Sequence, residues 1–133
     1  MNKWLFYKGL FLSGWLFFAS CEGNTDFNWL LENESSFVIE AEYGRTFEGD
    51  TLLSVVDPGS SIVMSTTSKL GGDPSPNLPS STFNYFLVIN ESGDTLQIDM
   101  MDPNQWDVDI EERSRIPSDF LHTYRMIITD DDF

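Results

Sequence analysis

Hydrophobic and polar positions alternate with a period of two along most of this chain, the spacing of half-buried β-strands. Residues 37–43 show it most cleanly: Phe37, Ile39, Ala41 and Tyr43 fall on one face, and Val38, Glu40 and Glu42 on the other. A β-rich run at 52–56 stops at Asp57-Pro58-Gly59, where proline fixes φ and glycine permits a positive φ, so a turn is predicted there and a further strand at 61–67. Residues 69–82 carry Pro74, Pro76 and Pro79 after Gly71-Gly72-Asp73, which rules out a helix or central strand and predicts a long loop. The stretch 83–89 is apolar on both faces and is expected at the centre of a sheet. A hairpin-type turn at Glu91-Ser92-Gly93-Asp94 then returns the chain as an antiparallel strand over 95–100, with Leu96, Ile98 and Met100 inward. Residues 102–121, bracketed by Pro103 and Pro117, read as an edge strand or a loop. The last strand is expected over 122–129, with Tyr124, Met126 and Ile128 on one face and Thr123, Arg125 and Ile127 on the other. Six or seven short strands, regular turns and no long amphipathic helix predict an all-β fold, a single antiparallel, immunoglobulin-like β-sandwich.

The first twenty residues follow a different rule. Lys3 and Lys8 flank the start, an uncharged apolar stretch covers 9–18, and Ala19 and Ser20 precede Cys21, the only cysteine. That order reads as a lipoprotein signal peptide, since the processing peptidase needs small side chains at the cleavage position and a thiol at the new N-terminus to carry the diacylglyceryl group. Phe18 stands where such motifs usually have Leu, Val or Ile. An uncleaved anchor over 4–18 is the alternative, but a spanning helix needs about twenty residues. A buried, inert thiol is disfavoured because Cys21 lies outside every strand pattern. The expected organisation is a leader over 1–20, a lipidated tether over 21–28 and the sandwich over 29–133, opened by Trp29, Leu30 and Leu31 either packing on it or forming a helical turn. Such a protein is held in the cell envelope, on the outer membrane at its periplasmic face or on the cell surface, because two or three acyl chains make attachment durable.

Charge narrows the choice of partners. The chain has 22 acidic and 7 basic residues; losing the leader removes two lysines, leaving Arg45, Lys69, Arg113, Arg115 and Arg125 and a net charge of 5 − 22 = −17. A field of that sign repels phosphate backbones, which excludes nucleic acid, and predicts that the polypeptide stands off an anionic bilayer while favouring cationic partners. A mature chain with one cysteine forms no internal disulfide, so its stability comes from packing.

The leader, an Asn-Glu-Ser-Ser start to the first clear strand, a Pro-Gly turn and the closing Tyr-Arg-Met-Ile-Ile-Thr-Asp-Asp-Asp-Phe together resemble the small lipoproteins of Bacteroidetes-type bacteria. Many of those are similar in ending on an aromatic and β-branched strand with an acidic cluster and a terminal aromatic, matched here by Tyr124, Ile127, Ile128, Thr129, Asp130 and Phe133. The resemblance implies a β-sandwich on the cell envelope and supplies no activity and no catalytic residue. It also implies that acids just after the lipidated cysteine, here Glu22 and Asp26, serve as a weak surface-export signal. Asp-Thr before an apolar residue, present in Gly49-Asp50-Thr51-Leu52 and Gly93-Asp94-Thr95-Leu96, is similar to the O-glycosylation acceptor of such envelope proteins, which makes Thr51 and Thr95 candidate glycan sites. Turn chemistry alone also accounts for both repeats.

Catalytic chemistry is thinly supplied. One histidine, His122, and no thiol besides Cys21 exclude a cysteine nucleophile and a zinc site of several His or Cys ligands, and no Gly-x-Ser-x-Gly elbow or phosphate-cradling glycine motif is present. His122 is expected as a partly exposed residue near a turn. A carboxylate hydrolase needs only two acids in a cleft, which counting does not exclude, but a small sandwich rarely offers that cleft. Asp102, Asn104, Asp107 and Asp109, with Glu111 and Glu112, are hard oxygen ligands that calcium would accept, although such runs are usually a solvated acidic face. The expectation is a non-enzyme without a cofactor or resident metal. Its role is to bind a protein or glycan, or to support a structure, at the envelope, with Trp106 in its acidic loop and the proline loop over 71–81 as candidate contacts. A core plug is the other reading of Trp106. The opposing functional reading is an acidic partner-binding lipoprotein, of inhibitor or immunity type or an accessory of a surface complex.

Overall fold

The computed structural model describes residues 22–133, so Cys21 and the leader lie outside it. Seven strands form two sheets: β1 (Asn24–Asn33), β2 (Ile39–Arg45), β3 (Thr51–Val56), β4 (Ser61–Leu70), β5 (Phe83–Asn90), β6 (Asp107–Arg115) and β7 (Ser118–Ile128). The larger sheet has the order β4-β1-β7-β6 and the smaller β3-β2-β5, an all-β sandwich as the alternation predicted. One helical turn, α1 (Pro79–Thr82), leads into β5.

The strand pairs are antiparallel except at the centre of the larger sheet, where β1 and β7 run parallel, with Thr25 beside Phe120 and Asn33 beside Ile128. The expected tether is in fact the first half of β1. Its inward positions, Thr25, Phe27, Trp29, Leu31 and Asn33, are buried, and polar Thr25 and Asn33 at the two ends hide the period in the sequence. Likewise β7 begins at Ser118 rather than 122, and β6 is the edge strand foreseen within 102–121.

β5 occupies an edge, not the centre expected for it. Its two-sided apolar character has another cause: the chain after the Gly93 turn lies along its free side, joined to it by the Ile89–Thr95 bridge and the Leu96 N–H to Val88 carbonyl bond at 2.9 Å, without continuing as the predicted strand. The inward side chains of that segment still follow the pattern, since Met100 is buried and Leu96 and Ile98 pack on the core.

An aromatic cluster fills the space between the sheets. Trp29 stacks on Tyr124 at 3.9 Å between centroids and stands perpendicular to Phe83 and Trp106. Each such pair adds roughly 0.5–1.5 kcal/mol beyond the area it buries. At the β1–β2 corner, the buried Asn33 amide donates to the Phe37 and Val56 carbonyls, while its oxygen accepts from the Ser35 hydroxyl and N–H. The Asn-Glu-Ser-Ser motif is therefore a corner lock whose buried polar groups are paired. The closing acidic cluster serves the same end of the molecule: Asp130 accepts from the Ser36 N–H, and Asp132 accepts from the Thr129 N–H and hydroxyl.

The two ends of the sandwich differ. The proximal end, where β1 begins, gathers the β2–β3 turn, the proline loop and the β6–β7 turn; the distal end carries the β1–β2 corner, the β3–β4 turn and the Gly93 turn.

Candidate functional site

Trp106, Asp102 and His122, all singled out from the sequence, are held in packing and turn contacts. Trp106 is buried, packs on Trp29, Phe83 and Phe86, and donates from Nε1 to the Met100 carbonyl at 2.8 Å. It is the core plug, and its ring has no free face for a sugar. Asp102 caps the short 3₁₀ turn after it by accepting from the N–H and amide of Asn104. Asp107 and Asp109 project from β6 into solvent. Among the described residues, no group of three or more His, Cys, Asp or Glu side chains is placed to hold a metal ion.

His122 is fully buried, contrary to its expected exposure, because it continues the inward face of Tyr124 and Met126 by one step of two. Its Nε2 lies 2.7 Å from the Asp73 carbonyl and must donate to it, so in the neutral ring Nδ1 accepts from the Tyr124 hydroxyl at 3.2 Å. The same hydroxyl accepts from the Asn77 N–H. Burial raises the Tyr124 phenol above its ordinary value; the Asn77 hydrogen bond opposes this, and the Asp73 charge reinforces it. Thr25 completes the clamp: its hydroxyl donates to the Gly71 carbonyl at 2.7 Å and accepts from the Asp73 N–H at 2.9 Å. The proline loop is therefore strapped across the inner faces of β1 and β7. Its Asp73 carboxyl is held down at about 2, chiefly by the hydrogen bond from Lys69 and then by those from Ser75. This is a closed, satisfied network with a packing role.

Thr51 and Thr95 are both exposed and stand at opposite ends of the smaller sheet, after glycines with φ of 64° and 88°. The Thr51 hydroxyl lies 3.2 Å from that of Tyr85. Asp50 is gripped by Arg45 through Nε at 3.0 Å and the neighbouring guanidinium nitrogen, which lowers its carboxyl. Turn geometry explains both repeats while leaving both threonines accessible.

The outer face of the smaller sheet was not foreseen. Register aligns Val55, Glu40 and Ile89 in one row and Leu53, Glu42 and Leu87 in the next. Leu53 and Val55 are 65% and 59% exposed, too open to be core. Tyr85 donates to Glu42 at 2.8 Å and fixes that carboxylate in the row. Two aliphatic rows thus flank a central acidic line, on an edge strand whose residues Thr51–Val56 contain no charge and no proline. The signal was present in the sequence as Leu53 and Val55 falling opposite Leu52 and Val56, a strand apolar on both sides.

Cavities are small. A cleft of about 110 Å³ lies between β5 and the segment after the Gly93 turn, lined by Phe86, Leu87, Leu96 and Met100 among others. Sites for drug-sized ligands run to about 300–1,000 Å³, so this one suits at most a side chain. A depression of about 310 Å³ at the distal turns is open and lined by polar residues including Glu32 and Glu34.

No protein-family model and no curated protein sequence matches the chain.

Proposed function

We propose that this is a non-catalytic lipoprotein of the cell envelope, attached to the outer membrane through acyl chains on Cys21, whose sandwich binds a partner instead of transforming a substrate. The observation that carries the reading is the run Phe18-Ala19-Ser20-Cys21 behind an apolar leader, followed within three residues by the first strand at Asn24. Intact mass spectrometry of the protein extracted from native membranes tests it. A diacyl or triacyl mass beginning at Cys21 is expected, with any glycan on Thr51 or Thr95 appearing as added mass; an uncleaved or unacylated chain refutes the reading.

The outer face of the smaller sheet favours a protein as the partner. Leu53, Val55 and Leu87 offer exposed aliphatic area, and Glu40 and Glu42 between them complement a segment bearing both basic and aliphatic side chains. Such a segment would add to the free edge of β3 through its main chain. Crosslinking in intact cells should recover a basic partner from the wild type and lose it from Val55→Lys; equal recovery from both would move the contact elsewhere.

A further inference from the structure

We propose that the proximal end of the sandwich seats directly on the lipid bilayer, with Phe47, Leu70, Leu78 and Ile116 entering the interface between headgroups and acyl chains. The inference rests on the lipoprotein reading above and names the surface that meets the membrane.

Three independent observations converge on that end. First, the three most exposed large apolar side chains of the described residues are Ile116, Phe47 and Leu70, at 87, 84 and 80%. They come from three separate segments, the β6–β7 turn, the β2–β3 turn and the last residue of β4, and each of these lies at the proximal end. Leu78, also exposed, joins them from the proline loop. The segments are bonded into one platform: the Thr46 N–H donates to the Thr82 carbonyl at 2.8 Å, and the Gly71 N–H to the Gly23 carbonyl at 2.7 Å. A Cβ on Gly23 or on Gly72 would run into Ser118, so β1, the loop and β7 close tightly there.

Second, the anchor leaves almost no slack. The chain is fixed from Gly23 onward, and two residues span at most about 7 Å when fully extended. An acylated Cys21 lies at headgroup level, and the polar layer on each side of the hydrocarbon is itself only roughly 5–8 Å thick. The platform is therefore held against the interface.

Third, charge is graded along the sandwich. Four of the five cations among the described residues, Arg45, Lys69, Arg113 and Arg115, sit toward the proximal end, each within 3.7 Å of a carboxylate. The distal turns hold Glu34, Asp57, Glu91, Asp94 and the acids of Asp130–Asp132 with no cation among them. The proximal end is still net negative, with Glu22, Asp26, Glu48, Asp50, Asp73, Glu112 and Asp119 against four cations, but its acids are partly neutralised. An anionic surface therefore repels the distal end more strongly, which favours the orientation with the apolar crown down. The net charge of the whole chain predicts that the polypeptide stands off the bilayer; its distribution makes that repulsion weakest at this end, where apolar insertion opposes it.

Full insertion of one aliphatic or aromatic side chain is worth roughly tenfold or more in partition, so four make a substantial contact on top of the acyl chains. The test is a depth measurement on full-length, lipidated protein with single nitroxide labels at Ile116→Cys, Phe47→Cys and, as the distal control, Asp131→Cys. Native Cys21 is blocked by its lipid, and all three positions are exposed, so the fold tolerates the labels. In vesicles of phosphatidylethanolamine and phosphatidylglycerol, labels at 47 and 116 should lose access to a water-soluble nickel chelate several-fold and gain access to oxygen, while the label at 131 stays aqueous. Aqueous labels at 47 and 116 on protein whose mass shows acylation overturn the seating and leave the lipoprotein reading standing. Where the mass shows no acyl chain, the labels are read in a Cys21→Ser background so that only the introduced cysteine reacts: protected labels then uphold the seating and overturn the lipoprotein reading, and aqueous labels overturn both. Labels shielded in native membranes but aqueous in the pure lipid vesicles assign the crown to a protein contact and overturn the seating.

Discussion

Replacing Tyr124 by Phe removes a single oxygen from the centre of the strap that holds the proline loop. The ring remains free to stack on Trp29 at 3.9 Å, so packing is nearly conserved. Two partners are lost: the Asn77 N–H loses its acceptor, and His122 Nδ1, on a fully buried ring, loses its donor. A buried polar group left unpaired costs about 1–3 kcal/mol, so the expected destabilisation is about 2–4 kcal/mol once the smaller desolvation of Phe is allowed for. For a domain of this size that lowers Tm by roughly 10–25 °C. Urea unfolding followed by tryptophan fluorescence reads it, since Trp29 and Trp106 are both buried; the midpoint should fall with the slope unchanged. Thr123→Val, on the outward face of the same strand, is the control and should stay within about 0.5 kcal/mol. Hydrogen exchange should show the amide of Asn77 opening in Tyr124→Phe well before the strands. A loss below about 0.5 kcal/mol would mean that the hydroxyl does not hold the loop, and the assignment of the His122–Tyr124–Asn77 chain would fall.

The wild-type Tyr124 also sets an alkaline limit. Its pKa is raised in the folded state, so its contribution is intact below the ordinary tyrosine value of 10.0 and is lost as pH rises through the folded value; absorbance at 295 nm should report its ionisation together with unfolding, and Tyr124→Phe should abolish that component. Asp73 behaves in the opposite sense. Its carboxyl is lowered from 3.8 to about 2, so the stability it lends is present above 3.8 and disappears as pH falls toward 2; Lys69→Met should flatten that acid limb of a melting-temperature profile, and an unchanged limb would discount the pair. Trp106→Ala should cost about 3–5 kcal/mol as a core truncation; a loss under 1 kcal/mol would return the residue to the surface. Gly23→Ala places a methyl group 1.6 Å from the Ser118 carbonyl oxygen and should loosen the proximal end, seen as faster exchange at Asn24 and Thr25; wild-type exchange there would contradict the close approach.

How much of this was legible depended on whether a position's partners were near in sequence. β2 and the second half of β7 could be read because every inward residue is apolar, from Ile39 to Tyr43 and from Tyr124 to Ile128. The same period, carried one step further, places His122 inward; a polar side chain at an inward position concealed it. β1 was half missed for that reason, as Thr25 and Asn33 satisfy their polar groups only through the proline loop and the strands that meet at the distal corner. Apolar residues on both faces of β5 reported real burial but not sheet position, because an irregular segment can cover an edge as well as a strand can. The crown of Phe47, Leu70, Leu78 and Ile116 had no sequence signature at all. Each is a lone exposed hydrophobe in its own segment, and only the topology brings the four together.

The parallel pairing of β1 with β7 has a bearing on biogenesis. The Asn24 N–H donates at 2.8 Å to the side-chain carboxylate of Asp119, a residue 95 positions later in the chain. The centre of the larger sheet therefore cannot assemble until the last strand has emerged, and until then β1 and its buried tryptophan have only the β4 hydrogen bonds on one side. A chain organised this way has no finished core until its final strand slides in beside its first.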